Sequence, residues 1–322
     1  MKNDSFNEIE KIILKARRIL VVSHQGPDAD AIGSLAVIGL YLKKIKKPHY
    51  LLCASAISEN LKFIPGSSQI KSKHPKGKCD LMIGLDYGTK ILLGMESYFK
   101  KYPKIPLLVF DHHLSTGQGA DFGIVNSKYS STCELLHDYF KSVEFKIDKK
   151  IAYALSVGIL DDTGFFKYTN SPKPLEIVMN FIKQFRIKLT EIDAKLNGQI
   201  KTAAMIISGE ILSRIKYNKK SDFIYSWLAR AELIRHHLAT NDLSNPAGQL
   251  KNAKDGRFSL FLIEENEGKI RGHLRSRPDK KYNVAALAEK LGGGGHRYAA
   301  GFRHKGSIDS ALKLVAKYSS KK

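Results

Sequence analysis

Short apolar runs that break abruptly into polar residues recur along the first half of this chain. Ile19–Ser23 runs into the polar turn HQGPDAD, and HYLLCA (49–54), DLMIGLDYG (80–88) and IPLLVFDHH (105–113) repeat the pattern. Residues 6–18 carry the period of an amphipathic helix. AIGSLAVIGLYLKKI (31–45) reads as a helix whose small residues allow close packing on a sheet, and the stretch around SENLKFIPG as helical or irregular. STCELLHDYFK (131–141) opens on a Ser/Thr cap and continues as a helix, and IAYALSVGILDD (151–162) follows as another. Apolar strands separated by helices predict a parallel α/β sheet with helices on both faces.

From about Leu189 to Ser213 the pattern is helical and polar, which suits a connector between domains. After Tyr217 the period changes. FIYSWL, FSLFLIEEN and KIRGHLRS read as strands, NVAALAEKL as a helix, and GGGGHRYAAGF as a glycine-rich turn. A chain of 322 residues exceeds what one hydrophobic core usually serves. The expected division is a first domain over 1–188, a helical connector over 189–215 and a smaller α/β domain over 216–322.

Charge adds to this picture. The formal net charge is +22, with lysine runs at Lys43–Lys47, Lys71–Lys78, Lys100–Lys104, Lys146–Lys150 and Lys216–Lys220. Such a surface attracts polyanions, although solvated lysine-rich helix faces give the same total. Cys53, Cys79 and Cys133 are widely spaced and form no CxxC pair, which argues against a thiolate zinc site and for a reducing compartment. The opening MKNDSFNEIEKIILKARR mixes acids and bases unlike a signal peptide, and no apolar run approaches the ~20 residues of a membrane span. A cytoplasmic protein without membrane partners is expected.

Four segments carry the candidate chemistry: His24–Asp30, Asp86 after its strand, Asp111-His112-His113, and Asp161-Asp162-Thr163-Gly164. Three follow apolar strands directly, at the carboxyl ends where parallel sheets bind ligands. Each has a plain alternative. An aspartate after a strand is commonly a turn former, and Asp28 or Asp30 can simply cap the next helix. Asp111, His112 and His113 are harder to explain that way, because clustered ionisable groups at a strand end are costly unless paired or metal-bound. Carboxylates with imidazoles and no thiolate favour Mn²⁺, then Mg²⁺. Asp28, Asp30, Asp86 and Asp162 balance two divalent ions, and a pair ~3.5–4 Å apart would bind a phosphoryl centre, activate water and stabilise the leaving oxygen.

In sequence order, SHQGPDADAIGS, LDYG, DHH, DDTGFF, LRSR and GGGGHRYAAGF resemble the DHH phosphoesterases that carry a DHHA1 domain. The nearest branch is the bifunctional oligoribonuclease and pAp phosphatase (NrnA-type) group. Ala29 departs from the commoner glycine. The resemblance implies that residues 1–188 are a DHH metal-binding catalytic domain and 216–322 a substrate-binding DHHA1 domain with a mixed sheet. It further implies His24 and Asp28 on one metal, Asp30, His112 and Asp162 on the other, and Asp86 bridging. His113 would sit at the scissile phosphate and Asp111 would orient a histidine. Arg275, Ser276 and His296, with help from Arg277, would hold a phosphate or terminal nucleotide cradled by Gly292, Gly293, Gly294 and Gly295.

The implied cofactors are two Mn²⁺ with Mg²⁺ as the alternative, and the implied partner is a short RNA or a nucleotide such as pAp. The expected activity is hydrolysis of short oligoribonucleotides and of the 3′-phosphate of pAp. Alternatives are a cyclic or linear dinucleotide phosphodiesterase, a RecJ-type single-strand exonuclease, and a non-catalytic nucleotide-binding module. His236-His237 lacks a following carboxylate cluster and reads as surface, and Trp227 as core. Oligomeric state, a homodimer included, stays open at this stage.

Overall fold

The computed structural model describes residues 4–320 apart from 114–118, 170, 199–200 and 244–245; the side chains of Asn241 and His296 also lie outside the description. The chain divides into two compact units, residues 1–199 and 200–322. In the first, α1 (Phe6–Lys15), β1 (Ile19–Ser23), α2 (Ala29–Lys44), β2 (His49–Cys53) and β3 (Leu81–Leu85) come first. They are followed by α3 (Glu96–Lys101), β4 (Leu107–Asp111), β5 (Phe122–Val125), α4 (Thr132–Ser142), α5 (Lys149–Asp162), α6 (Lys173–Phe185) and α7 (Leu189–Asn197).

The strands order as β2-β1-β3-β4-β5, every neighbouring pair parallel. Because β2 pairs on one side of β1 and β3 on the other, the winding reverses there, and crevices form at such switch points. Successive residues of β1 serve opposite faces: Ile19 and Val21 pack with α1, α2, α4 and α5, and Leu20 and Val22 pack with Tyr98 of α3 and the 87–95 segment. Helices on both faces of a parallel sheet are therefore what the structure holds.

The small residues of α2 act in two directions. A Cβ on Gly39 would lie 2.4 Å from Leu51 of β2, which is the expected close packing on the sheet. Gly33 instead faces α5, where an added Cβ would meet the Ala154 carbonyl at 3.0 Å. Strand β5 and helix α6 were not expected from the pattern. In FGIV the glycine interrupts the strand signal, yet it sits at φ +123° with Val109 O only 2.0 Å from where a Cβ would be.

The second unit contains α8 (Thr202–Ser213), β6 (Lys216–Asn218), β7 (Phe223–Leu228), α9 (Arg230–Arg235), α10 (Pro246–Leu250), β8 (Phe258–Asn266) and β9 (Lys269–Arg275). α11 (Val284–Lys290), β10 (Gly294–His296), β11 (Ala299–Lys305) and α12 (Ile308–Ser319) complete it. The sheet is mixed, ordered β10-β11-β9-β8-β7-β6, with β7 and β8 parallel and the other pairs antiparallel. Leu260, Leu262, Leu274 and Phe302 pack with α11 and α12, whereas Phe261 and Ile263 pack with α8, α9 and α10. Within the expected connector, α7 gives Ile192 to the first core, and α8 gives Ala204, Ile207 and Ile211 to a core of the second unit. GGGGHRYAAGF is a β10–β11 hairpin rather than a bare turn.

All three cysteines are buried free thiols. Among the described residues no helix is long and apolar enough to cross a membrane. Gly123→Ala should cost about 2–4 kcal/mol, because it meets both a backbone clash and a left-handed φ. Urea unfolding of the variant checks this; an unchanged midpoint contradicts the assignment of β5 as a strand that needs glycine.

Candidate metal centre and anion-binding face

The carboxyl ends of β1, β3 and β4 lie side by side, and the acidic and imidazole groups that follow them meet there. Two clusters form: His24, Asp28 and Asp86, and Asp30, His112 and Asp162, with the ligand atoms of each cluster within 4.8 Å of one another. Asp86, His112 and His113 form a third, so Asp86 and His112 each take part twice. His24 Nε2 lies 3.8 Å from Asp28 and 3.9 Å from Asp86; His112 Nε2 lies 3.5 Å from Asp86 and 3.2 Å from Asp162.

Local structure fixes each group. Asp28 caps α2, accepting from Ala31 N at 3.0 Å, so capping and cluster membership belong to one side chain. Asp30 is fully buried, and its two oxygens accept from Thr132 N at 2.6 Å and Cys133 N at 2.9 Å at the start of α4. Asp86 sits at φ +48°, a conformation held by surrounding structure. Its Oδ1 accepts from Thr132 Oγ1 at 3.2 Å. Thr132 is thus a site residue that the sequence suggested only as part of a helix start; the hydroxyl run Ser130–Thr132 was the available signal.

Asp111 is the most thoroughly satisfied group. Its Oδ2 accepts from Tyr87 N at 2.7 Å and Gly88 N at 3.0 Å, and its Oδ1 from His113 N at 2.9 Å and His113 Nδ1 at 2.8 Å. A carboxylate only accepts, so His113 Nδ1 carries the proton and Nε2 points elsewhere. The same logic applies to His24, whose Nδ1 donates to the Gln25 carbonyl at 3.0 Å and leaves Nε2 facing the aspartates. Asp161 accepts from Ala29 N at 3.2 Å and steadies the start of α2.

The electrostatics are those of a site built for cations. Burial, then Asp86 and Asp162, pushes Asp30 upward; burial, reinforced by Asp86 and Asp28, raises Asp162 to about 7 despite the opposing pull of His112. Burial and Asp28 raise Asp161 to about 6. Burial alone would lower the histidines, but Asp28 and Asp86 raise His24 to about 9, and Asp162 and Asp86 raise His112 to about 12. Against the same burial, His113 holds Asp111 down at about 2. His112 Nε2 and Asp162 Oδ2 are buried and lack a hydrogen-bond partner. Two such orphaned atoms facing each other among crowded carboxylates fit a divalent ion.

The second unit presents its expected residues on β9 and the hairpin. Arg275 is half-buried, its Nη1 donating to Leu274 O at 3.0 Å; Ser276 Oγ donates to Arg257 O at 2.9 Å. Arg277 is engaged by Asp279 through two bonds of 3.0 and 2.7 Å. Gly292, at φ +74°, ends α11. Cβ atoms on Gly293 and Gly295 would strike the carbonyls of Gly301 and Ala299 at 2.1 and 2.6 Å, whereas one on Gly294 would meet nothing within 4 Å. Backbone packing thus accounts for two glycines, helix termination for a third, and only Gly294 is left to an open surface. The side chain of His296 lies outside the described residues. His236 lies 3.8 Å from Glu210, and neither it nor His237 joins a ligand cluster among the described residues.

The profile of the DHH family N-terminal domain matches residues 18–159, and that of the DHHA1 domain residues 221–321. The chain carries a DHH domain followed by a DHHA1 domain. Among curated relatives, it is 26% identical over 305 residues to the bifunctional oligoribonuclease and PAP phosphatase NrnA of Thermus thermophilus, covering 92% of this chain and 87% of the relative. It is 23% identical over 287 residues to the like-named protein of Bacillus subtilis, covering 88% of each. The fold matches an exopolyphosphatase-related protein from Bacteroides fragilis with a TM-score of 0.89 at 24% identity, over 98% of this chain and 95% of that one. It also matches exonuclease RecJ bound to manganese, with a TM-score of 0.51 at 15% identity over 99% and 95% of the two chains.

A Cβ on Gly158 of α5 would lie 2.7 Å from Asp30 Oδ1 and 2.4 Å from Cys133 Sγ, so Gly158→Ala should weaken manganese binding by about tenfold or more. Calorimetric titration measures this, and an unchanged affinity rejects Asp30 as a ligand. With His24 and His112 raised to about 9 and 12, the metal-free site carries protons at neutral pH that an ion must displace. Apparent affinity should therefore rise from pH 6 to 9, with proton release seen as heats that differ between buffers.

Proposed function

We propose that this chain is a two-metal phosphoesterase that hydrolyses short oligoribonucleotides and removes the 3′-phosphate of pAp. The observation that carries the reading is the pair of clusters, His24–Asp28–Asp86 and Asp30–His112–Asp162, met at the carboxyl ends of the central strands. The names of the full-length relatives supply the substrate class. Asp86, a member of one cluster and 3.5 Å from His112 of the other, would help to hold both ions. Imidazole mixed with carboxylate and no thiolate favours manganese, with magnesium as the alternative. When bound, the ions supply Lewis-acid polarisation of the phosphoryl group and acidify water.

The chain's own residues do the positioning. Asp111 fixes the His113 ring, and hydrogen bonding to that carboxylate raises the proton affinity of the imidazole against the lowering effect of burial and His112. His113 Nε2 then donates to a phosphate oxygen and passes a proton to the leaving group. Thr132 and the start of α4 hold Asp86 and Asp30 so that neither turns away when charge develops at phosphorus. In the second unit Arg275 grips a substrate phosphate with Ser276, Gly294 and His296. Arg277, committed to Asp279, contributes less.

The decisive experiment is turnover of 5′-labelled RNAs of two to 24 nucleotides, and of pAp, with Mn²⁺ and with chelator. Metal-dependent cleavage strongest on the shortest RNAs is expected, and Asp86→Ala should lower kcat by about 10³-fold with an unchanged circular dichroism spectrum. RNA binding without any product in manganese would replace this reading by that of a nucleotide-binding module.

A further inference from the structure

On the second unit's sheet, the face that buries Phe261 and Ile263 is covered by α8, α9 and α10 over β7 and β8. Farther along, β9 and β11 turn the same face outward, and their ladder register places like beside like. Lys269 pairs with Lys305, Arg271 with Arg303, His273 with Gly301, and Arg275 with Ala299. Intervening residues Ile270, Gly272, Leu274 and Phe302 are buried, while Lys269, Arg271, Arg303 and Lys305 are exposed. The alternation puts every one of these cations on one face.

Like charges directly opposite each other destabilise a sheet, and this ladder has two such pairs in succession. Among the described residues, the four exposed cations share one carboxylate at ion-pair distance, Glu265, 3.3 Å from Arg271. Between these pairs and Arg275 lie His273 and Gly301, both half-buried. His273 stacks over Phe261 with ring centroids 6.3 Å apart, and its cross-strand neighbour is Gly301. A Cβ on Gly301 would meet only Gly272 O at 3.2 Å, and the next glycine across the ladder, Gly294, faces open space. Neither is required by a left-handed φ. Gly301 and Gly294 leave this face of the sheet without side chains, and close approach of a ligand to the backbone is one use of such strand glycines.

We propose that this ladder is a track for the body of a single-stranded RNA. Its sugar–phosphate backbone runs from the Arg275 grip over the His273–Gly301 floor onto Arg271–Arg303 and Lys269–Lys305. Six residues of strand rise span about 20 Å, enough for several nucleotides of an extended strand. The proposal rests on the phosphoesterase reading for Arg275 and extends it: pAp and dinucleotides end before the paired cations, whereas longer strands reach them.

The test compares the full-length protein with Arg271→Ala/Arg303→Ala and with the charge-keeping Arg271→Lys/Arg303→Lys. Fluorescence anisotropy gives the Kd of an RNA 24-mer across a salt series in chelator, and manganese assays give KM and kcat for pAp and a dinucleotide. The alanine pair should weaken 24-mer binding by about tenfold or more and lower the slope of log Kd against log salt by about 1.4. Its pAp and dinucleotide kinetics should stay within about twofold of the parent, and the lysine pair should restore binding. Unchanged 24-mer affinity and slope in the alanine pair overturn the track, whatever the enzyme assays show. A parent that binds the 24-mer through these arginines yet cleaves neither small substrate overturns the phosphoesterase reading alone.

Discussion

The structure is organised around mutual repulsion between carboxylates. Asp28, Asp30, Asp86 and Asp162 converge on one corner of the first sheet, with Asp30 and Asp86 almost completely buried. Left unpaired, such a set would shed its charge or unfold the corner. Three kinds of restraint hold it together: backbone N–H groups at the start of α4 aimed at Asp30, the Thr132 hydroxyl on Asp86, and imidazoles between the acids. The raised proton affinity of His24, His112 and Asp162 is the remaining imbalance: the corner holds protons in place of charge that only a cation could otherwise balance.

That constraint explains features that otherwise look like ordinary packing. The start of α4 reaches Asp30 only because α2 and α5 approach closely, and Gly33 and Gly158 are where they do so. Any side chain at Gly158 would take the space of the Asp30 carboxylate. Asp111 lies inside the cluster region yet has four N–H donors of its own, so it serves as a fixed support for His113 rather than as another claimant on a cation.

Much of this was legible in the sequence. Strands β1, β7 and β8 fall on the apolar runs without adjustment, and the six proposed ligands are the members of two of the observed clusters. What was not legible depended on contacts distant along the chain. β5 is a strand because Val109 and Asp4 lie beside Gly123, a fact that the FGIV pattern cannot carry. Thr132 reads as a helix start until α4 is placed against residues about a hundred positions away. The glycine run was read as one anion cradle, but its members divide: two make room for β11, one ends α11, and Gly294 alone faces open space.

Local and functional explanations of a residue are often set against each other, and Asp28 shows why that opposition fails here. The aspartate that caps α2 through Ala31 N also faces His24 across 3.8 Å. Capping orients the carboxylate, and the helix terminus favours its ionised form. Asp161 does the same from the other side by accepting from Ala29 N. At Asp28 the hydrogen bond that starts α2 also aims the acidic group at the cluster with His24 and Asp86. A substitution there would therefore alter helix stability and ion binding together. At Asp30 the same coupling runs through α4, because its carboxylate takes the first two N–H groups of that helix, so helix and cluster are tied together there as well.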